Sequence, residues 1–141
     1  MAEQIDFSSV AVGDIIPPIR KKVNQKIIDA YAEASGDYNP IHVDPEFAKD
    51  TIFKGTIAHG LLTLSYISQM MVKWAGKYYL ENSSLETTFL SPVRPGDEVI
   101  IKGEVSEILE KDGKKEIICQ VYCDGENGQR YISGKATITL Q

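Results

Sequence analysis

The chain has 141 residues, of which 43% are hydrophobic and 25% charged, and these proportions predict one globular domain over residues 1–141. The net charge of −5 argues against binding to nucleic acid or to an anionic membrane surface. Residues 1–9 have neither a basic side chain nor an apolar run of the kind found in a secretory signal, so the cytoplasm is the expected compartment.

The N-terminal region is predicted to form a turn, a strand and a helix. Gly, Asp and two Pro indicate the turn at residues 13–18, and the strand is expected over residues 19–24. Asn24 is suited to cap a helix over residues 25–34, whose apolar side chains recur at helical spacing. Gly36 is predicted to end this helix as its C′ residue.

Two more helices are predicted before the strand-rich part of the chain. Asp44 and Pro45 are typical of an N-cap and a first helical position, so a short helix is expected as far as about Lys49. A loop over residues 50–58 leads to a longer helix that is expected to begin at His59 and Gly60 and to run to about Ala75. The apolar side chains of this longer helix point in nearly every direction, which predicts that it is surrounded.

The second half of the chain is predicted to be an antiparallel meander of four strands. They are expected over residues 78–90, 98–109, 116–123 and 131–140. A buried helix followed by such a meander predicts an α+β fold with the sheet wrapped around the helix. Cys119 and Cys123 lie four strand residues apart, roughly 13 Å, which is too far for a disulfide. With two His, these two Cys show no metal-ligand spacing, so no metal is expected.

Residues 35–42 carry the groups best suited to catalysis. Asp37 and His42 lie five residues apart, and Pro40 constrains Asn39, so the segment is expected not to be helical. Such a turn can aim a carboxylate and an imidazole at one water, which the pair activates by general acid–base chemistry. The spacing alone favours a plainer interpretation, in which Asp37 and Asn39 bond local amides and His42 is half-exposed.

Gly60 begins the predicted long helix, directly after His59. A glycine there lets a ligand approach the backbone, and its N–H is one of those left unpaired at the positive end of a helix. Such an N–H can stabilise a developing oxyanion. Taken alone, a loop-to-helix junction with a tightly packed glycine is the plainer alternative, and His59 is expected to cap or pack that junction.

Three segments together resemble one known family. They are ASGDYNPIHVDPEFA at residues 34–48, IAHG at residues 57–60 and FLSPVRPGD at residues 89–97. Over essentially its whole length the chain resembles the MaoC-like, R-specific enoyl-CoA hydratases. The resemblance implies the hot-dog fold, an antiparallel β-sheet wrapped around a long central helix. It also implies a homodimer with the active site near the subunit interface.

The resemblance further implies the reaction, a reversible syn addition of water to a trans-2-enoyl-CoA that gives the (R)-3-hydroxyacyl-CoA. Asp37 and His42 match the catalytic dyad, and Gly60 matches the residue whose N–H receives the thioester oxygen. Asn39 is expected to hold the turn. Ser68 matches a serine that hydrogen-bonds the aspartate, although its own i−4 carbonyl is an equal alternative partner. No metal, flavin or nicotinamide is required by this reaction.

An acidic protein that binds an anionic acyl-CoA substrate needs a locally basic surface. Lys22, Lys54 and Arg94 are candidates for it, although lysines in such runs are usually solvated. Two alternatives stay open: a 3-hydroxyacyl-ACP dehydratase of fatty-acid synthesis, and a non-catalytic module that binds acyl thioesters. A thioesterase is less favoured because the motif is of the hydratase type.

Overall fold

The computed structural model describes residues 5–141, and its main feature is an antiparallel sheet of five strands. The strands are β1 (Ile15–Lys22), β2 (Ser83–Phe89), β3 (Glu98–Lys111), β4 (Lys114–Gly125) and β5 (Arg130–Leu140). The helices are α1 (Gln25–Ser35), α2 (Pro40–Val43), α3 (Pro45–Ala48), α4 (Gly60–Ala75) and α5 (Lys77–Glu81). The α+β class is therefore confirmed.

The order of strands in the sheet is β1-β3-β4-β5-β2. Strands β3, β4 and β5 form consecutive hairpins, whereas β2 pairs with β5 and lies at one edge. The predicted four-strand meander is therefore wrong for β2, which is not a neighbour of β3. The loop between β3 and β4 consists of Asp112 and Gly113, which both have positive φ (53° and 76°), as a tight two-residue hairpin turn requires.

Strand β1 begins earlier than expected and contains both prolines of the predicted turn. Pro17 and Pro18 lie at a shift in the β1–β3 register, between Ile16 and Ile19. Because β1 is an edge strand, the missing proline N–H groups remove no bond from the interior of the sheet. The turn is confined to the residues before the strand, where Gly13 has a φ of 95°.

Helices α1 and α3 confirm the predicted caps. The Asn24 side chain accepts the N–H of Ile27 at 2.9 Å, and Gly36, with a φ of 80°, donates its N–H to the carbonyl of Ala32. The Asp44 side chain accepts the N–H groups of the first turn of α3. These caps are local, which is why the residue types alone predicted them.

Helix α4 packs one side against the sheet. Its buried residues are Leu62, Thr63, Ile67, Met70, Met71 and Ala75. On its other side Ser65 and Gln69 are exposed, and Leu61 retains 60% of its accessible surface. The expectation that α4 is surrounded is wrong within one chain, because the strands contact it from a single side.

The chain between α4 and β2 differs from its predicted strand. Residues 78–81 belong to helix α5, which follows Gly76 at a φ of 56° and buries Tyr79. The aromatic content of this segment suggested a strand, but the side chains serve as anchors for a helical turn. Cys119 and Cys123 are both free, as expected, and burial raises the pKa of each thiol to about 12. Within residues 5–141 no helix has the length and apolar character needed to cross a membrane.

Candidate active site

The segment that carries Asp37 and His42 is a hydrogen-bonded turn followed by the one-turn helix α2. Asp37 Oδ1 accepts the N–H of Asn39 at 3.2 Å, and Asn39 Oδ1 accepts the N–H of Ile41 at 3.1 Å. Asn39 therefore holds the turn. Pro40 is the first residue of α2, where a missing N–H costs no helical bond. The expectation that residues 35–42 are not helical is wrong from Pro40 onward, because proline is excluded only from helix interiors.

Three hydrogen bonds fix the position of His42. Its Nδ1 lies 2.8 Å from the carbonyl oxygen of Ile57, and the N–H of Ile57 bonds the carbonyl of Ile41. The Gln25 side chain donates to the carbonyl of His42 at 2.8 Å. A carbonyl oxygen can only accept, so Nδ1 carries the hydrogen and Nε2 of the neutral ring keeps its lone pair. His42 thus has Nε2 available as a proton acceptor.

Asp37 and His42 are close enough to act on one water molecule. A carboxylate oxygen of Asp37, a ring nitrogen of His42 and a ring nitrogen of His59 all lie within 4.8 Å of one another. A water that hydrogen-bonds two groups at about 2.8 Å each can bridge such a separation. The local bonds of the plainer interpretation are present as well, so the turn serves both to bond its own amides and to orient the pair.

Gly60 is the first residue of α4, and its N–H has no acceptor among the residues that the structure describes. A Cβ at this position would lie 2.9 Å from Cε1 of Phe89, so a larger residue would displace that ring. Gly60, His42 and Phe89 line a cavity of about 330 Å³. Its other lining residues include Phe53, Ile57, Leu90 and Ile132, whereas the exposed Asp37 is not part of the lining.

His59 is a site residue whose role the sequence analysis missed. It is 2% exposed, makes no capping bond to α4, and places Nε2 2.9 Å from the carbonyl oxygen of Asp37. Its ring stacks on that of His42, with centroids 3.9 Å apart and planes 28° apart. The residue was expected to cap or pack the junction, and the structure shows that it packs. The one signal in the sequence was its place directly before Gly60.

The remaining predicted residues lie outside this cluster. Ser68 Oγ pairs with the hydroxyl of Tyr79 at 3.3 Å, and the expected bond to Asp37 is not made in this chain. Lys54 and Arg94 are exposed and follow residues that line the cavity, Phe53 and Val93. Lys22 instead lines a separate cavity of about 380 Å³ with Asp97 and Tyr131.

The cluster of Asp37, His42 and His59 contains ligand types that could hold a metal ion, a juxtaposition that the sequence spacing did not predict. Its geometry does not fit one. Imidazole binds zinc in the plane of the ring at about 2.0–2.1 Å. The His42 and His59 rings lie in two stacked planes, 28° apart with centroids separated by 3.9 Å, so one ion cannot lie in the plane of both rings at bonding distance. One nitrogen of each ring already faces a carbonyl oxygen, and the remaining nitrogen of His59 is buried.

Comparison with known proteins identifies the family. The model of the MaoC like domain matches residues 11–126. An (R)-specific enoyl-CoA hydratase of Aeromonas caviae is 31% identical over 86% of this chain and 90% of its own length. A mitochondrial 3-hydroxyacyl-[acyl-carrier-protein] dehydratase of Arabidopsis thaliana is 34% identical over 95% of this chain and 83% of its own length.

Solved structures agree with the sequence comparisons. The structure of an (R)-hydratase from A. caviae covers 94% of this chain and 98% of its own, with a TM-score of 0.80 and 28% identity. The fold is the hot-dog fold that the motifs implied. The relatives named here are hydratases and dehydratases, which are hydro-lyases, and the chain belongs to this MaoC-like family.

Proposed function

We propose that the chain is an R-specific enoyl-CoA hydratase, which reversibly adds water in syn fashion to a trans-2-enoyl-CoA and gives the (R)-3-hydroxyacyl-CoA. The observation that carries this proposal is the separation of at most 4.8 Å between the acidic and basic groups of Asp37 and His42. The cavity beside them, lined by His42 and Gly60, supplies a place for the thioester.

The chemistry follows from the placement of three groups. Water held between the Asp37 carboxylate and Nε2 of His42 loses a proton to this pair as its oxygen bonds the β-carbon. Negative charge then develops through the α-carbon on the thioester oxygen. The N–H of Gly60, which has no acceptor in the described part of the chain, stabilises that charge. The pair returns a proton to the α-carbon from the same face, which makes the addition syn and balances the reaction.

General magnitudes indicate what each group contributes to such a reaction. One oxyanion donor contributes about 2.7–4 kcal/mol to the stabilisation of the transition state. Acid–base assistance adds about 10²–10⁴-fold to the rate. The apolar part of the cavity, formed by Phe53, Ile57 and Leu90 among others, supports binding of an acyl chain next to these groups.

The proposal predicts that Asp37→Asn and His42→Gln each lower kcat for the hydration of crotonyl-CoA by about 10²–10⁴-fold. Each variant removes one acid–base group and keeps a side chain of similar size. The loss of enoyl absorbance measures turnover, and thermal unfolding checks the fold. Asp50→Asn is the matched control, because Asp50 is an exposed carboxylate outside the cluster. Near-normal turnover by either dyad variant contradicts the mechanism.

A second candidate function is a 3-hydroxyacyl-ACP dehydratase, which the similarity to the Arabidopsis protein supports. It uses the same dyad on a different carrier. Measurement of kcat/KM on CoA and ACP thioesters with the same acyl group separates the two candidate functions. A large preference for the CoA thioester excludes the 3-hydroxyacyl-ACP dehydratase. Tight binding of enoyl-CoA without turnover at high protein concentration supports a non-catalytic acyl-thioester-binding module instead.

We further propose that residues 1–141 form one MaoC-like domain and that two copies form a homodimer near whose interface the active site lies. The free edge of β2 and the exposed side of α4 support the dimer, since both are surfaces that a second copy can cover. The predicted lack of nucleic-acid and membrane partners and of a cofactor, and the cytoplasmic location, stay predictions.

A further inference from the structure

His59 occupies an unusual place for a histidine at the start of a helix. Its side chain could have capped the free amides of α4, but it points inward and is 2% exposed. Imidazoles are only occasionally this buried, and then they are usually hydrogen-bonded. Nδ1 of His59 is nevertheless buried without a hydrogen-bond partner among the residues that the structure describes. The buried ring therefore needs an explanation other than capping.

The contacts of His59 provide that explanation, because they involve the three residues of the proposed mechanism, Asp37, His42 and Gly60. Its Nε2 bonds the carbonyl oxygen of Asp37, and its ring stacks on that of His42 at 3.9 Å. Its own carbonyl carbon is bonded to the amide nitrogen of Gly60. Tyr31 lies against the ring at 4.8 Å between centroids and limits its movement.

The hydrogen-bonding roles show that His59 acts through these neighbours and not on the substrate. The Asp37 carbonyl only accepts, so Nε2 of His59 donates and is not free for proton transfer. The other nitrogen, Nδ1, is buried. The residue can therefore hold the Asp37 backbone and the His42 ring, but it is not placed to exchange a proton with a substrate in the cavity.

We propose that His59 is a positioning residue of this active site, which holds the backbone of Asp37 through its N–H and the ring of His42 through stacking. This inference rests on the proposed hydration reaction for its kinetic effect, but its structural part concerns the His42 ring alone. Loss of the stacked ring frees His42 to turn away from the carbonyl of Ile57, so that hydrogen no longer resides on Nδ1 alone.

Three variants separate the two contacts. His59→Gln has no ring but keeps an N–H donor four bonds from Cα, the same distance along the side chain as Nε2 of histidine. His59→Phe keeps a flat ring without the donor. His59→Ala removes both. We expect His59→Ala to lower kcat on crotonyl-CoA by about 100-fold with little change in KM, since misplacement by about 1 Å costs that much. The Gln and Phe variants are each expected to recover part of this loss.

Nitrogen NMR of the imidazole gives a readout that a purely structural role would not change. The chain has two His, so each variant leaves His42 as the single imidazole in the spectrum. With the ring neutral, the Nδ1–H form of His42 is expected to persist in His59→Phe and to mix with the Nε2–H form in His59→Gln and His59→Ala. Ile67→Val, a core change in α4 away from the dyad, controls for lost stability.

The outcomes distinguish the two proposals. A wild-type protein without turnover overturns the hydratase function, and the His42 spectra of the variants still decide the positioning role. A His59→Ala protein with wild-type kcat overturns the positioning role, as does a His42 spectrum that is the same in all variants. If His59→Ala fails to fold, the Gln and Phe variants carry the comparison.

Discussion

At the scale of single residues, the oxyanion role proposed for Gly60 can be tested separately from the proposed acid–base chemistry. The N–H of Gly60, at the start of α4, has no acceptor within residues 5–141. A Cβ at this position would lie 2.9 Å from the Phe89 ring, which lines the same cavity. The contact is with one side of an aromatic ring that is 52% exposed, so the ring can move. A methyl group at this position therefore perturbs the cavity more than it perturbs the fold.

We expect Gly60→Ala to lower kcat/KM on enoyl-CoA by about 100-fold, because the variant keeps the N–H but its methyl group holds the thioester oxygen away from it, and loss of one oxyanion contact typically costs about that much. Thermal unfolding is expected to change little. The double variant Gly60→Ala with Phe89→Leu relieves the contact with the ring but keeps the methyl group in the cavity, so it is expected to stay slow. Recovery of wild-type kcat/KM in the double variant would assign the loss to the displaced ring instead.

At the residue scale the sequence also predicted that Asp37 and His42, the proposed acid–base pair, lie together, because the constraint is local: Asp37, Asn39 and Pro40 form a turn by themselves. The anchors of His42 were not predictable from that segment. They come from Ile57 and from Gln25, which lie 15 and 17 residues away along the chain. The same holds for His59, whose contact with Asp37 spans 22 residues.

At the scale of elements, Asp124 connects three strands at the end of β4. Its carboxylate bonds Arg130 of β5 at 2.9 and 3.2 Å and lies 3.3 Å from the Lys102 ammonium of β3. Burial by itself raises the pKa of Asp124, but the hydrogen bonds and charges of Arg130 and Lys102 outweigh it and hold the pKa below its usual value. The folded state therefore favours the ionised carboxylate.

Asp124→Asn is expected to reduce the free energy of unfolding at pH 7 by about 1.5–3 kcal/mol, the value of hydrogen bonds to a charged group. A lowered folded-state pKa contributes stability above the unfolded pKa of about 3.9, and this contribution is lost as pH falls through the folded pKa. The deficit of the variant should thus shrink below about pH 4. Denaturant unfolding from pH 3 to pH 7 measures it.

Glu86→Gln is the control for the Asp124 prediction. Its ion pair with Lys135 has a separation of 3.9 Å, and the glutamate side chain is 78% exposed, so solvent screens it. We expect its unfolding free energy to follow that of the wild type across the same pH range. If the unfolding free energy of Asp124→Asn stays below that of the wild type by the same amount in acid, then packing, and not charge, is responsible for the difference.

Elements whose signals are local were predicted well, and those that depend on partners were not. The caps of α1 and α3 arise from residues next to each helix. The prolines of β1 suggested a turn, but a strand at the edge of the sheet tolerates proline. The aromatic residues of α5 suggested a strand, but Tyr79 is buried and anchors a helical turn. Neither property is visible in a stretch of ten residues.

At the scale of the whole molecule, α4 is covered by the sheet on one side only. Leu61 is 60% exposed on its other side, and β2 pairs on one side only within residues 5–141. Exposed apolar surface is typical of a contact between proteins, so the proposed dimer places a second copy against this side of α4.

We therefore expect sedimentation equilibrium to give the mass of a dimer and Leu61→Glu to weaken it, because a charge would be buried at the contact. Val12→Glu is the control, since Val12 is exposed to a similar extent (62%) and precedes β1. A wild-type protein that sediments as a monomer at micromolar concentration would contradict the dimer. Unaltered assembly of the Leu61→Glu protein would exclude this side of α4 as the contact.

Residue types and their spacing were enough to predict the class of the fold, the capped helices, the Asp37–His42 turn and the glycine at the start of α4. Each of these depends on residue types that act within a few positions of one another. Packing between distant parts of the chain determines that β2 joins β5 and that His59 stacks on His42. It also places Lys22 at a separate cavity and pairs Ser68 with Tyr79. Such contacts depend on how strands pair and helices pack over long separations, and no short segment encodes that choice.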